Sequence, residues 1–436
     1  MRAPTLLAAS ICMLWLGLPI NSEAVAWISG RTYPLMCIFL VSSLLAAESY
    51  LTKGSTLTLV LYSVGSLAAL LSNEEGILVL PLTILLAYFV NEKAPHRRWL
   101  TLGMAGVVTS AIYFVLRHFA DAHVPNGPSS FLTLGTTFFK YVMWILFPVH
   151  MSVEHSTDTP ANTLSLASVA AWAAIICLLI LLYWFRERNA LTALGLAWTI
   201  IALLPFCGIV SLYQGMAERY VYLASFGVAL AIIAAAWQYS SPTRFALFSL
   251  IFLWGFWGAK RLESRASDWR DPISLYQSSL EATPGSTKLT YNLGTAFEAA
   301  GDFYKAREYY HHALNLNPKY APAMVALGNI DQRAGNMEKA EQEYRQAAAM
   351  DPSDGDAYCY LGVLSFHEGK TDRAIQELSQ AIAMSPSNST AYLDLGVVYQ
   401  ESGNRQGAIQ MYAKALALRP GDPDALTNLQ TLRSME

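Results

Sequence analysis

The residues whose types could do chemistry gather in five places along a mostly apolar stretch. They are Asn21, Glu23, Trp27 and Arg31; Glu74 and Glu75; Arg117, His118, Asp121 and His123; Glu154, His155 and Asp158; and Glu218 with Arg219. In such a set a carboxylate can deprotonate an acceptor hydroxyl and a guanidinium can stabilise a departing phosphate. That is the chemistry of moving a sugar off a lipid phosphate. Glu23, Arg31, Glu74, Glu218 and Arg219 are the candidates. The competing reading is anchoring, because charged residues at helix ends commonly just fix a membrane interface. The histidines between 118 and 155 match no zinc-ligand spacing, so no metal site is expected.

The elements that must position these groups are apolar windows, at about 4–20, 32–52, 55–72, 76–90, 99–119, 131–149, 163–185, 190–210, 219–237 and 243–258. A bilayer core of about 30 Å needs about 20 apolar residues per helix, and backbone groups in lipid must be bonded within their own segment, so these windows are predicted to be helices. Pro81 predicts a kink in the short fourth window. Lys93, Arg97 and Arg98, and also Arg186 and Arg188, mark cytoplasmic loops. Three crossings between those two loops would place them on opposite sides, so one window must fail to span. Lys140 and Pro148 single out 131–149 as re-entrant or interfacial. The expectation is nine crossings, with the five polar groups and everything after Gly258 on the non-cytoplasmic side. Arg2, the apolar run 6–18 and Ala24-Val25-Ala26 also fit a signal peptide, whose removal would leave the rest of the topology unchanged.

Composition agrees with a chain in two parts. Over 436 residues, 54% are hydrophobic and the mean hydropathy is +0.31, too apolar for one soluble globule. Residues 1–259 carry 22 Lys, Arg, Asp and Glu, against 39 in residues 260–436. A net charge of −3 with no basic stripe argues against nucleic acid as a partner. The five cysteines are scattered, four of them in apolar runs, and form no disulfide framework.

The charged part repeats. Gly294, Gly328, Gly362 and Gly396 recur every 34 residues, as do Ala306, Ala340, Ala374 and Ala408, then Ala313, Ala347, Ala381 and Ala415, and Pro318, Pro352, Pro386 and Pro420. This is the tetratricopeptide period: small residues let two helices approach and proline stops the second. Tyr310, Tyr344, Leu378 and Tyr412 fill the space between them. The predicted organisation is all-α. It comprises a multi-spanning membrane domain (1–259), a linker with a degenerate half-repeat (260–286), four repeats (287–422) and a capping helix (423–436). Such a solenoid recognises protein or peptide along the face of its first helices. By register that face includes Tyr291, Thr295, Glu298, Asn329, Gln332, Arg333, Phe366, His367, Val397 and Gln400. It lacks the Lys, Asn and Arg set of a carboxylate clamp.

Three strings resemble the GT-C type membrane glycosyltransferases with C-terminal tetratricopeptide repeats, a family that includes the transmembrane O-mannosyltransferases and bacterial relatives. LPINSEAVAWISGR (Leu18 to Arg31) is similar to the family's His-Pro-x-His-x-Glu-Ala-Val-Ala-Trp-Ile-x-Gly-Arg. LSNEEG (Leu71 to Gly76) is similar to its Leu-Ser-Lys-Glu, and AERYVYLASFG (Ala217 to Gly227) to its Ala-Glu-Arg-Tyr-Leu-Tyr-Leu-Pro-Ser. DWRDP (Asp268 to Pro272) leads into the repeats as it does there. The resemblance implies a membrane enzyme with luminal or periplasmic repeats and a polyprenyl-phosphate-linked sugar donor; no other cofactor is expected. Glu23, Trp27, Arg31, Glu74, Glu218 and Arg219 carry over. The family's two histidines are Leu18 and Asn21 here, its lysine is Asn73, and its catalytic acidic pair, in a loop before the segment that starts at Met1, has no counterpart. Two readings follow. One is a membrane-anchored repeat protein, bound to lipid and to a protein partner, that descends from such an enzyme. The other is an active glycosyltransferase, moving for example mannose to protein, whose start lies upstream.

Overall fold

The computed structural model describes residues 2–21, 32–90, 94–119, 131–149, 151–152, 166–207, 217–353 and 355–434. Every regular element among them is a helix. The chain divides into two compact units, Met1–Pro284 and Gly285–Glu436.

The first unit holds α1 (Arg2–Leu16), α2 (Thr32–Lys53), α3 (Thr56–Ser72), α4 (Val79–Val90), α5 (His96–Phe119), α6 (Phe131–Leu146), α7 (Leu166–Phe185), α8 (Ala190–Leu203), α9 (Tyr222–Trp237), α10 (Ser241–Asp268) and α11 (Pro272–Ala282). Six described spans are long and apolar enough to cross a membrane: Thr32–Lys53, His96–Arg117, Ser168–Phe185, Ala190–Cys207, Glu218–Trp237 and Ser241–Asp268. Their burial differs by position. The Ala190–Cys207 and Glu218–Trp237 windows are 61% and 72% buried, whereas Ser168–Phe185 and Ser241–Asp268 are 11% and 6% buried. The first two therefore form the centre, and α7 and α10 present Ile180, Tyr183, Phe245 and Phe252 outward, an apolar surface of the kind that meets lipid or another protein. Small residues close the centre. A Cβ on Gly195 would lie 2.5 Å from the Ala231 nitrogen and 2.6 Å from the Gly227 oxygen, so α8 and α9 touch backbone to backbone.

Two details differ from the sequence-based expectation. The window 76–90 is not one kinked helix: it opens with a 3₁₀ turn, Glu74–Leu78, and Pro81 is the third residue of α4. Proline in a first turn removes an N–H that has no helical partner anyway, so no kink is needed. Residues 260–268 are not linker but the last turns of α10, and the half-repeat at Tyr276 lies in α11 inside the first unit.

The second unit stacks four hairpins: α12 (Thr287–Ala299) with α13 (Phe303–Leu316), α14 (Ala321–Arg333) with α15 (Met337–Met350), α16 (Asp356–His367) with α17 (Thr371–Met384), and α18 (Ser389–Glu401) with α19 (Arg405–Leu418). α20 (Pro423–Ser434) follows. Each repeat glycine faces the large second-helix residue. A Cβ on Gly294, Gly328 or Gly396 would lie 2.4–2.6 Å from the ring of Tyr310, Tyr344 or Tyr412, and one on Gly362 would lie 2.6 Å from Leu378. Those four large residues and Ala306, Ala340, Ala374 and Ala408 are fully buried. Between the helices of each hairpin a second glycine, Gly301, Gly335, Gly369 or Gly403, has φ of +75° to +83°, a conformation that a Cβ would strain.

Candidate functional site

Polar side chains gather in two sets, one in each unit. In the helical unit the 3₁₀ turn after α3 sets the geometry. The Asn73 side-chain oxygen accepts the Glu75 N–H at 3.0 Å, while its amide donates to the Thr32 hydroxyl at 3.1 Å. This cap splits two neighbouring acids. Glu74 turns outward, 67% exposed, and pairs with Arg117 at 2.8 Å; exposed pairs of this kind contribute little. Glu75 turns inward and is 3% exposed. Burial is the largest influence on its charge, followed by Tyr33, which offers it a hydrogen bond, and by Arg219. Arg219 also lies over the Tyr220 ring, 5.0 Å from its centroid, and Tyr220 stacks on Phe206 at 4.8 Å.

Glu218 does something different from its neighbour. It is fully buried, accepts the Ser152 N–H at 2.5 Å, and faces Arg265 of α10 at 3.6 Å. Arg265 continues to Asp268 at 3.3 Å and Ser278 at 3.4 Å. Glu218 thus ties the segment after α6 to the end of α10, a positioning role. Asn21 is likewise committed, donating to the Trp15 carbonyl at 2.8 Å and accepting from Ser225 at 3.0 Å. Glu23, Trp27 and Arg31 lie outside the described residues, as do Asp121, His123, Glu154, His155 and Asp158. No group of His, Cys, Asp and Glu among the described residues could hold a metal ion. Of the two adjacent acids, Glu75 is the buried one and Glu74 the exposed one. Sequence reasoning grouped the two, and the Asn-x-Glu spacing that caps the turn was the signal that separates them.

In the repeat unit the predicted inner face is in part consumed by packing. The Tyr344 hydroxyl lies 2.7 Å from Asn329 Oδ1 and 2.8 Å from Gln332 Oε1, Tyr412 donates to Gln400 at 2.9 Å, and Tyr310 donates to Glu298 at 2.6 Å. Burying a phenol requires an acceptor for its O–H, and the residue twelve positions earlier supplies it. Where the third repeat has Leu378 instead of tyrosine, that position is Phe366. Asn329, Gln332 and Gln400 are thus structural first. Thr295 donates to the Asn292 carbonyl of its own helix at 2.8 Å. Arg333 is exposed, its guanidinium 5.8 Å from the Phe303 ring centroid, and the Phe366 and His367 rings neighbour each other at 6.3 Å. Tyr291 stands 5.5 Å from both Tyr310 and Tyr320; burial pushes its phenol up to about 12. The register had not singled out Tyr360, which stacks on Tyr344 at 5.3 Å and 17° with 37% of its surface open. It also missed Asp394, one repeat further on, whose carboxyl burial raises to about 6.

Comparison with known proteins follows the same division. Models of the tetratricopeptide repeat match residues 286–353, 325–389 and 365–432. The C-terminal region consists of tetratricopeptide repeats. Among solved structures, a thermophilic tetratricopeptide protein of Thermus thermophilus is 21% identical, covering 37% of this chain and 89% of its own at a TM-score of 0.34. YrrB, a tetratricopeptide protein described as having an unusual peptide-binding site, is 21% identical over 36% of this chain and 81% of its own, with a TM-score of 0.29. A Caenorhabditis elegans protein named as a protein O-mannosyl-transferase is 24% identical over 308 residues, 66% of this chain. The chain spans 43% of that relative's length.

Proposed function

We propose that this protein is anchored in a membrane by its helical unit and uses the repeats, on the non-cytoplasmic side, to hold a segment of a partner protein, and that the helical unit descends from a lipid-linked-sugar glycosyltransferase. Tetratricopeptide repeats indicate protein–protein interaction, and several helices long and apolar enough to span suggest membrane association. The observation that carries the partner role is the row Tyr291, Arg333 and Tyr360. These side chains lie on the inner helices but are not used up as hydrogen-bond acceptors for the buried tyrosines. Flat rings and a guanidinium are the groups that recur as anchors in protein interfaces. The test places a photo-crosslinking residue at Tyr360 and, as a control, at the exposed Tyr304 on α13. Capture from Tyr360 that Arg333→Ala abolishes, with none from Tyr304, is expected; equal capture from both would refute the groove. Reporter fusions after residues 95 and 188 should be cytoplasmic and one at the C-terminus external, and an internal C-terminus would overturn the sidedness.

One observation favours the active reading. Glu75 is a buried acid whose charge is set first by burial and then by Tyr33 and Arg219, and a base beside a cation is the pairing that sugar transfer from a lipid phosphate would use. A detergent-solubilised preparation assayed with labelled polyprenyl-phosphate sugars distinguishes the two. Turnover that disappears in Glu75→Gln but persists in Glu74→Gln would make the protein an enzyme.

A further inference from the structure

The end of α10 borders a cleft of about 430 Å³ that none of the functions above uses, lined by Arg261, Ser264, Arg265, Asp268, Ser278 and Glu281 together with Val149 and Met151. Its deepest cation is ion-paired with Glu218 and Asp268 but keeps N–H groups that no hydrogen bond uses. Arg265 is 2% exposed, yet only its Nη1 closes hydrogen bonds, long ones to Asp268 and Ser278. Its Nε and Nη2, and the Nε of Arg261, close none, although Nη2 faces Glu218 at 3.6 Å. Arg261 spends its Nη2 on the Val149 carbonyl. A guanidinium offers five N–H donors in a plane matched to phosphate oxygens, and both arginines that line this cleft keep donors that close no hydrogen bond.

The depth of the cleft limits what can reach it. The apolar part of α10 ends at Gly258, so at about 1.5 Å per residue Arg261 and Arg265 stand about 4.5 and 10.5 Å beyond it. The headgroup layer outside a bilayer core is about 5–7 Å thick on each side. Helical side chains lean toward the N-terminal end, which here is toward the bilayer, and so both guanidiniums fall at headgroup level. The charges of the lining limit the chemistry. Two arginines would take a phosphate, but Asp268 and Glu281 line the same space, so a purely anionic headgroup would meet two like charges. A primary ammonium linked to the phosphate would donate to those carboxylates through its three N–H groups. A choline ammonium has no such donors and is recognised by aromatic cages instead.

We infer that this cleft binds the phosphoethanolamine group of a membrane phospholipid, with Arg261 and Arg265 on the phosphate and Asp268 and Glu281 on the ammonium. The inference rests on α10 crossing the membrane, which is checked first: a full-length protein that stays in buffer without detergent loses that premise, whatever lipid it binds. With the detergent-purified full chain, native mass spectrometry of added short-chain lipids should show phosphatidylethanolamine bound at least about tenfold more tightly than phosphatidylcholine or phosphatidylglycerol, the scale set by one charge-assisted contact. Arg265 helps to hold Glu218, so the variants tested are the more open Arg261→Gln and Glu281→Gln. The first should weaken all three lipids, and the second should erase the preference over phosphatidylcholine. Equal binding of the three lipids, a preference for phosphatidylglycerol, or identical profiles in both variants would overturn the inference. Soluble glycerophosphoethanolamine binding as tightly as the lipid would assign the cleft to a free ligand and overturn the lipid as its source.

Discussion

Replacing Asp331 by Asn tests how consecutive repeats are held in register. Asp331 on α14 is 2% exposed and accepts from Arg307 of the preceding repeat at 2.8 and 2.9 Å, from Lys339 at 2.7 Å and from Asn336 at 3.1 Å. Hydrogen bonds to a charged group contribute about 1.5–3 kcal/mol. The Arg307 and Lys339 side chains are 28% and 53% exposed, so water recovers part of their loss and the net cost should be about 2 kcal/mol. For a unit of this size that is about 4–8 °C in Tm. The pH dependence gives a second, independent check. Hydrogen bonds from Arg307, the largest influence, and from Lys339 and Asn336 hold the Asp331 carboxyl well below the usual carboxylate range. A carboxyl lowered by folding stabilises in full above its unfolded value of about 3.9, and that stabilisation is lost as pH falls toward the folded value. Urea unfolding of residues 285–436 should therefore separate wild type from Asp331→Asn at pH 7 and bring them closer together at pH 3. An unchanged midpoint at pH 7, or a gap that widens on acidification, would refute the reasoning.

Ala374→Trp should cost about 1–3 kcal/mol or more in the same unfolding assay, because the site is fully buried between helices. Tyr344→Phe should cost about 1 kcal/mol, since Asn329 and Gln332 are half-open and regain water. In the third repeat Leu378→Tyr alone buries a hydroxyl facing Phe366, and adding Phe366→Gln should recover stability; a strictly additive double variant would refute the pairing rule. Asp394 has a raised carboxyl, so its favourable contribution is present at acid pH and lost as pH rises to about 6. Asp394→Asn should accordingly raise the urea midpoint at pH 7 and leave it unchanged at pH 3.

The repeats were almost wholly legible in the sequence because each contact is local. Gly328 meets Tyr344 sixteen residues on, and every hairpin reproduces that spacing. The same locality hid a second rule in plain sight: tyrosine at 310, 344 and 412 accompanies Glu298, Gln332 and Gln400, while Leu378 accompanies Phe366. On the inner face, register tells which way a residue points but not whether a buried hydroxyl also bonds it, as happens at Asn329, Gln332 and Gln400.

The sequence by itself determined the helical class, the 34-residue period and the apolar spans, since these follow from periodicity and composition within a few turns of chain. Only tertiary structure decided which polar residues are structural and which remain unspent. Glu74 and Glu75 are adjacent and chemically identical, but Asn73 and Thr32, forty-one residues apart, turn one to the surface and the other into the interior. Glu218 and Arg219 are parted in the same way, because Arg265 and Ser152 capture the first while the second acts on Glu75. The free energy of a buried charge is set by partners distant along the chain, and no window of neighbouring residues contains them.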